Sequence, residues 1–305
     1  MDVRHLELLR ELAERGSVTA VARATHRTVS AVSQQLRTAQ REFGMALVEP
    51  AGRGVRLTDA GRLLAAGGVE VHTAIAAVQA QWDAYRRDPG GLVSVNAFPS
   101  AATLVFPHLI GEATAHGITL RLDDVDPAES EIAAMTADYD IVVTHSLDSP
   151  RPAASAGLTV RELVTEPLDI AMRADHPLAA KHRLHAADVR GATWFGVPEG
   201  YPFDSVLRGI EQTLGEPPDV RQRLRDNRVI EHLVAAGDSL AVLPRFTTRV
   251  DDAVVLREIV DVPARRYLAA LMRPDRAERH AVRTVLGWLT EAAQAHGGMA
   301  SRSAL

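Results

Sequence analysis

Between positions 28 and 37 the chain sets out Thr28, Ser30, Ser33, Gln34 and Arg37: short hydroxyls, then an amide, then a guanidinium. Such groups donate to phosphate oxygens and read base-pair edges in a major groove. At helical spacing they lie away from an apolar face made by Val29, Val32, Leu36 and Ala39 or Phe43. The start of such a helix adds a partial positive charge that favours phosphate. A solvated polar face on an ordinary three-helix bundle is the competing reading, because helix-turn-helix spacing also arises by chance.

The elements around this stretch have the right order to present it. The spacing predicts a first helix over Val3 to Arg15, with Leu6, Leu9 and Leu12 on one face and Gly16 as its stop. Ser17 can cap a short helix from Val18 to Thr25, and small Ala22 lets it approach the next helix, which runs from about Thr28 to Phe43 and stops at Gly44. Ala46–Val48 and Val55–Leu57, joined by a turn at 51–54, read as a hairpin. Three helices followed by a hairpin outline a winged helix-turn-helix over residues 1–58.

A long helix is then expected over about 59–87, before the break at Asp88-Pro89-Gly90-Gly91. Leu57, Leu64, Val71, Ile75, Val78, Trp82 and Tyr85 follow heptad steps, the pattern of helix against helix, so a second copy of the chain is its expected partner. Gly67-Gly68 weakens the helix and predicts a bend there or an angle between domains. From Leu92 the pattern alternates strand and helix, which implies mostly parallel sheets under helices, closed by a long helix over Asp275–His296 and a disordered tail over 297–305.

Bulk properties narrow the function. A chain of 305 residues exceeds one ordinary core. Net charge is −5, yet residues 1–62 hold ten Arg and no Lys against seven acidic residues, so positive charge gathers where phosphate contact needs it. There is no Cys, which excludes disulfides and thiolate chemistry. No signal-peptide pattern and no apolar run of membrane-spanning length is read, so the cytoplasm is the expected compartment and no membrane partner is expected. Neither a Gly-x-Ser-x-Gly elbow nor a phosphate-binding Gly loop nor His-Glu-x-x-His occurs. His176, His182 and His185 cluster without acidic or Cys companions at ligand spacing. The reading is therefore not an enzyme, with no catalytic residue, no cofactor and no metal site.

Gly16-Ser17-Val18-Thr19, Ser30-Ala31-Val32-Ser33-Gln34-Gln35-Leu36 and Gly52-Arg53-Gly54-Val55-Arg56-Leu57-Thr58-Asp59-Ala60-Gly61 resemble the N-terminal domain of LysR-type transcriptional regulators. Asp175-His176-Pro177-Leu178-Ala179 and Ala235-Ala236-Gly237-Asp238-Ser239-Leu240-Ala241-Val242-Leu243-Pro244 extend the resemblance over nearly the whole chain. Val29 and Pro50 depart from it, standing where the family often has Gln and Arg, and Thr25, Arg27 and Ala39 replace larger apolar residues. The resemblance implies double-stranded DNA as partner, contacted by Thr28, Ser30, Ser33, Gln34, Arg37, Arg53 and Arg56. It implies a homodimer through a linker helix over 59–90, and often a homotetramer.

The resemblance also implies a periplasmic-binding-protein-like effector domain over 91–296. One subdomain takes about 92–160 plus 267–296 and the other about 161–266, with a small-molecule effector between them. Its cleft would be lined by Ser100, Thr103, His145, Tyr201, Phe203 and Asn227. Ser100 at a helix start suits an anion, or merely caps the helix; His145 ends a strand, or is a surface histidine; Asn227 binds ligand, or caps. Tyr201 and Phe203 belong to an aromatic-rich turn that can wall a pocket, whereas core packing explains Trp194 and Phe195 at least as well. A solute-binding module whose N-terminal domain mainly mediates assembly is the alternative function.

Overall fold

In the computed structural model, residues 1–52, 54–86, 90–126, 129–250 and 253–302 are described. Helix α1 (Val3–Arg15) begins where the Asp2 carboxylate accepts from the Arg4 N–H and ends at left-handed Gly16. Ser17 caps α2 (Val18–Ala24) by accepting from the Ala20 N–H at 3.0 Å. Thr28 does the same for α3 (Val29–Phe43) through the Ala31 N–H at 3.1 Å. Leu9, Leu12, Val21, Val32, Leu36 and Ala39 bury the faces of all three helices in one small core. Val29, expected on that face, is 47% exposed, because as the first helical residue it lies beyond the core's edge. The wing follows as β1 (Val48–Ala51) and β2 (Gly54–Leu57), paired antiparallel.

Helix α4 (Asp59–Arg86) runs unbroken through Gly67-Gly68. The glycines serve close approach instead. A Cβ at Gly68 would sit 2.9 Å from the Leu6 carbonyl oxygen on α1, and one at Gly61 would sit 2.1 Å from that of Leu47. Leu57 and Leu64, counted in the heptad seam, pack into the small core. Ile75, Val78, Trp82 and Tyr85 remain exposed along the rest of the helix, with the Trp82 and Tyr85 rings stacked at 5.8 Å. By length and composition α4 is also apolar enough to cross a membrane, contrary to the expectation from sequence; the seven-residue repeat hid an Ala-rich stretch whose charges, Glu70 apart, lie near its ends.

The remainder forms two α/β lobes. The first is built on β3 (Gly91–Ala97), β4 (Ile118–Asp123) and β5 (Ile141–Ser146), with α5 (Pro99–His116) and α6 (Glu129–Met135) between them. Strand β6 (Thr159–Arg173) crosses to the second lobe, which holds β7 (Arg183–Leu184), β8 (Thr193–Gly196), α7 (Asp204–Leu214), β9 (Asp219–Arg223), α8 (Asn227–Ala236), β10 (Leu240–Pro244) and β11 (Val254–Ile259). Strand β12 (Arg265–Met272) returns to the first. The lobe cores are separate: Val93, Val95, Leu109, Ile141, Leu163 and Leu289 lie in one, and Leu168, Ile170, Trp194, Ile210, Val234 and Leu243 in the other. Trp194 is thus a core residue.

Strand order is β4-β3-β5-β12-β6-β10-β8-β9. The outer pairs are parallel, as the alternating pattern predicts, but β12 runs antiparallel to both β5 and β6. This follows from two crossings in opposite directions. The closing helix is two: α9 (Pro274–Glu278) and α10 (His280–Arg302), with Arg279 out of helical conformation between them and its guanidinium donating to Asp140 Oδ1 at 2.6 Å. Helix α10 continues through 297–302, where a disordered tail was expected, and at Gly297 it still packs on the first lobe, a Cβ there lying 3.0 Å from Val164 Cγ2; 303–305 lie outside the described residues.

A charged seam joins α1 to the first lobe. Arg10 donates to Asp275 Oδ2 at 2.7 Å, Arg273 lies 3.2 Å from Glu11 and 3.0 Å from Glu14, and Arg15 lies 3.0 Å from Asp138. Arg10, Glu11 and Arg273 are all buried, so these pairs are shielded from solvent in a way that surface pairs are not.

Candidate functional site

The polar face of α3 stands in solvent. Ser30, Gln34 and Arg37 are exposed and Ser33 half-buried. Arg37 donates to Gln34 Oε1 at 3.1 Å, which holds amide and guanidinium side by side one turn apart. Thr28 is spent on the cap, and its hydroxyl lies 3.0 Å from that of Ser30. Gln35 turns inward: its amide donates to the Arg4 carbonyl at 2.6 Å, tying α3 to α1. On the wing, Arg56 pairs with Glu49 across the hairpin at 2.6 Å. Arg53 lies outside the described residues.

A cleft of about 360 Å³ opens between the two lobes, and Ser100, Thr103, His145, Tyr201, Phe203 and Asn227 all line it. Four segments far apart in sequence meet there because β5, α5, β8 and α8 all direct their loop ends to one side of the sheet. Phe98, not Ser100, occupies the cap position of α5, with Pro99 as the first helical residue. Ser100 faces the cleft and its hydroxyl accepts from Arg266 at 3.0 Å. Asn227 is likewise not a cap, since Asp226 accepts from the Arg228 N–H at 2.8 Å. Thr103 returns its hydroxyl to the Pro99 carbonyl at 3.0 Å.

Sequence reasoning missed the centre of the cleft. Arg266 on β12 is 2% exposed and pairs with fully buried Glu166 at 2.6 Å, whose other oxygen accepts from the Phe246 N–H at 2.8 Å. The guanidinium lies over the Phe98 ring at 5.1 Å and the Phe203 ring at 5.3 Å, so two aromatic faces and one carboxylate hold it. Asp126, Arg225, Arg228, Glu231 and Thr247 complete the wall. Arg266 follows Arg265 directly at the head of the apolar run Tyr267 to Met272, and nothing in the sequence sets it apart from that neighbour. Asp126, Arg225 and Thr247 lie in loops and Arg228 and Glu231 on the first turns of α8, and no spacing reveals that they meet.

His145 meets Phe98 edge-on at 4.8 Å and 73°. Burial, aided by the Arg266 charge, pushes its pKa down to about 3, so the ring is neutral. Its Nδ1 has no solvent contact and no hydrogen-bond partner. At Asp126 loss of hydration raises the carboxyl pKa against the opposing pull of Arg266 and Arg225. An aromatic-walled cleft with a fixed cation, hydroxyls and a helix start can hold a small polar molecule with an acceptor group.

Residues 3–62 match the family described as bacterial regulatory helix-turn-helix protein, lysR family, and residues 86–294 match the LysR substrate binding domain. The transcriptional dual regulator GltC of Bacillus subtilis (strain 168) is 26% identical over 285 residues, covering 91% of this chain and 92% of that protein. The DNA-binding transcriptional dual regulator OxyR of Escherichia coli (strain K12) is 23% identical, covering 90% of each. Among solved structures, a full-length OxyR variant from Pseudomonas aeruginosa superposes with a TM-score of 0.61 at 19% identity, covering 96% of this chain and 95% of that one. Full-length CbnR in complex with its target DNA gives 0.53 at 18% identity, covering 96% and 100%. The helix-turn-helix match favours DNA binding over a domain serving assembly alone. With a polar helix face at one end, a two-lobed cleft at the other and a family match over most of its length, this chain belongs to the LysR family of transcriptional regulators.

Proposed function

We propose that this regulator works as a homodimer or a dimer of dimers in the cytoplasm. Each subunit lays α3 in a major groove, with Ser30, Ser33, Gln34 and Arg37 as the contact set and Arg56 supporting from the wing once it leaves Glu49. The stripe Ile75, Val78, Trp82 and Tyr85 covers its equivalent on a second copy. The two recognition helices then enter successive grooves of an imperfect palindrome. An effector binds between the lobes at Ser100, Thr103, His145, Tyr201, Phe203 and Asn227. It shifts a pre-existing balance between assembly geometries, and so alters the bend or spacing of the bound DNA.

One observation carries this reading: the polar face of α3 is exposed while its reverse is sealed in a core, beside an apolar stripe with no cover in the single chain. A gel-shift titration on fragments upstream of the protein's own gene tests it. Arg37→Ala and Gln34→Ala are expected to weaken or redirect binding. Unchanged affinity and selectivity in both rejects the helix. Ser100→Ala with Thr103→Val is expected to keep DNA binding and lose the effector response.

A further inference from the structure

The cleft has a second chamber of about 340 Å³, reached past Phe98, His145, Tyr201 and Pro202. Its charge balance differs from that of the first. The first sets Arg225, Arg228 and Arg266 against Asp126, Asp226 and Glu231, whereas among the described residues no Arg or Lys lines the second, where Asp148 and Glu199 join the shared Asp126. Asp126 and Asp148 make no ion pair among the described residues, and Glu199 has only Arg223 at 3.6 Å. On the other side, Arg225 rests on the Tyr201 ring at 5.5 Å and has no carboxylate partner among those residues. Asp126 lines both chambers and feels the Arg225 and Arg266 charges, so Arg225 marks the cationic end of the cleft and Asp148 the acidic end.

Two buried atoms point into the acidic chamber. Thr144 is 2% exposed and its hydroxyl has no hydrogen-bond partner; the adjoining His145 Nδ1 is equally sealed and unpartnered. Buried polar atoms are nearly always paired, and two orphans on one strand end facing one cavity mark a place where a bound molecule supplies the partner. A hydroxyl, a neutral imidazole and a ring of carboxylates together favour a ligand group that donates several hydrogen bonds and carries positive charge. The Phe98 ring stands between the two chambers, 5.1 Å from the Arg266 guanidinium and 4.8 Å from the His145 ring, so Arg266 and His145 are no farther apart than those distances laid end to end.

We propose that the effector is a small amphoteric molecule, an amino-substituted organic acid whose charges are separated by a short chain or a ring. Its carboxylate lies at Ser100 and Arg225, its apolar middle crosses Phe98 and Tyr201, and its amino group enters the chamber at Thr144, His145 and Asp148. This rests on the reading of the cleft as the effector site.

Isothermal titration calorimetry on the full chain tests it with two matched triads: 5-aminopentanoate, pentanoate and pentylamine; and 4-aminobenzoate, benzoate and aniline. In at least one triad the amino acid is expected to bind tenfold or more tighter than the plain acid or the plain amine. Asp148→Asn and Thr144→Val are expected to erase that advantage while leaving affinity for the plain acid unchanged, and Arg225→Ala to weaken acid and amino acid alike. A plain acid or amine binding as tightly as the amino acid, or no binding by any of the six, overturns the amphoteric class. An amino acid that binds, responds to Ser100→Ala and ignores Asp148→Asn overturns that class but keeps the cleft as the effector site. Binding indifferent to Ser100→Ala, Arg225→Ala and Asp148→Asn places the ligand elsewhere and overturns both.

Discussion

The face of α3 and the cleft between the lobes are both polar surfaces laid over apolar cores, and they are built in opposite ways. On α3 the contact groups come from one ten-residue stretch, stand in water and take few partners beyond their own helix turn. In the cleft they come from segments as far apart as Phe98 and Arg266, and the central ion pair is sealed from solvent. A surface that meets a large, highly charged duplex can stay solvated until it binds, since phosphate attraction works through water. A site for a small molecule must remove water and fix its dipoles beforehand, and that puts the cost in the folded protein.

The sharpest way to break this contrast is at the buried pair. Glu166→Ala leaves the Arg266 charge without its carboxylate, and removing one partner of a buried pair costs about 3–5 kcal/mol. Gln34→Ala on α3 is expected to stay within about 0.5 kcal/mol. Urea denaturation compares them; equal midpoints would mean that the cleft is no more preorganised than the helix face. Arg37→Ala is the mirror experiment, expected to lower operator affinity by about tenfold to a hundredfold. Its unfolding midpoint should stay put, and a shift there would show that the α3 face is structural after all.

Acid titration sharpens the comparison further. His145 is held near a pKa of about 3, against 6.5 for an ordinary histidine, chiefly by burial. Below the ordinary value the unfolded chain takes up a proton that the folded cleft refuses, so stability present above pH 6.5 is lost as pH falls towards 3. His145→Asn should flatten that loss by up to one proton per chain, measured as the pH slope of unfolding free energy. No α3 variant should alter the slope. The smallest expected effects lie on α4. Gly67 has open space around its would-be Cβ, so Gly67→Ala should stabilise by up to about 1 kcal/mol, whereas Gly68→Ala meets the Leu6 carbonyl and should lower the melting temperature.

That glycine pair shows what sequence can and cannot disclose. Caps, stops and periodicity are local, so α1, α2 and α3 were readable from their apolar spacing with Gly16, Ser17 and Gly44 as punctuation, whereas the caps at Asp2 and Thr28 came only with the structure. Whether Gly67-Gly68 bends a helix or admits a neighbour depends on what packs there, which spacing does not encode. Val29 looked apolar and therefore inward, yet position at a helix start overrides hydropathy. All six cleft residues anticipated through family resemblance do line one cavity, but Arg266, Glu166 and Asp126 escaped because their meaning comes only from strands that pair across a hundred positions.

Strand β12 has a consequence of scale. Near its start Arg266 sits in the cleft, and one residue past its end Arg273 grips Glu11 and Glu14 on the first helix of the DNA-binding domain. An extended chain advances about 3.3 Å per residue, so a spacer of roughly 20 Å, hydrogen-bonded on both edges, fixes the interval between the two. Extended backbone cannot lengthen. Displacement of one guanidinium along the strand axis therefore has no slack to take up before it loads the other.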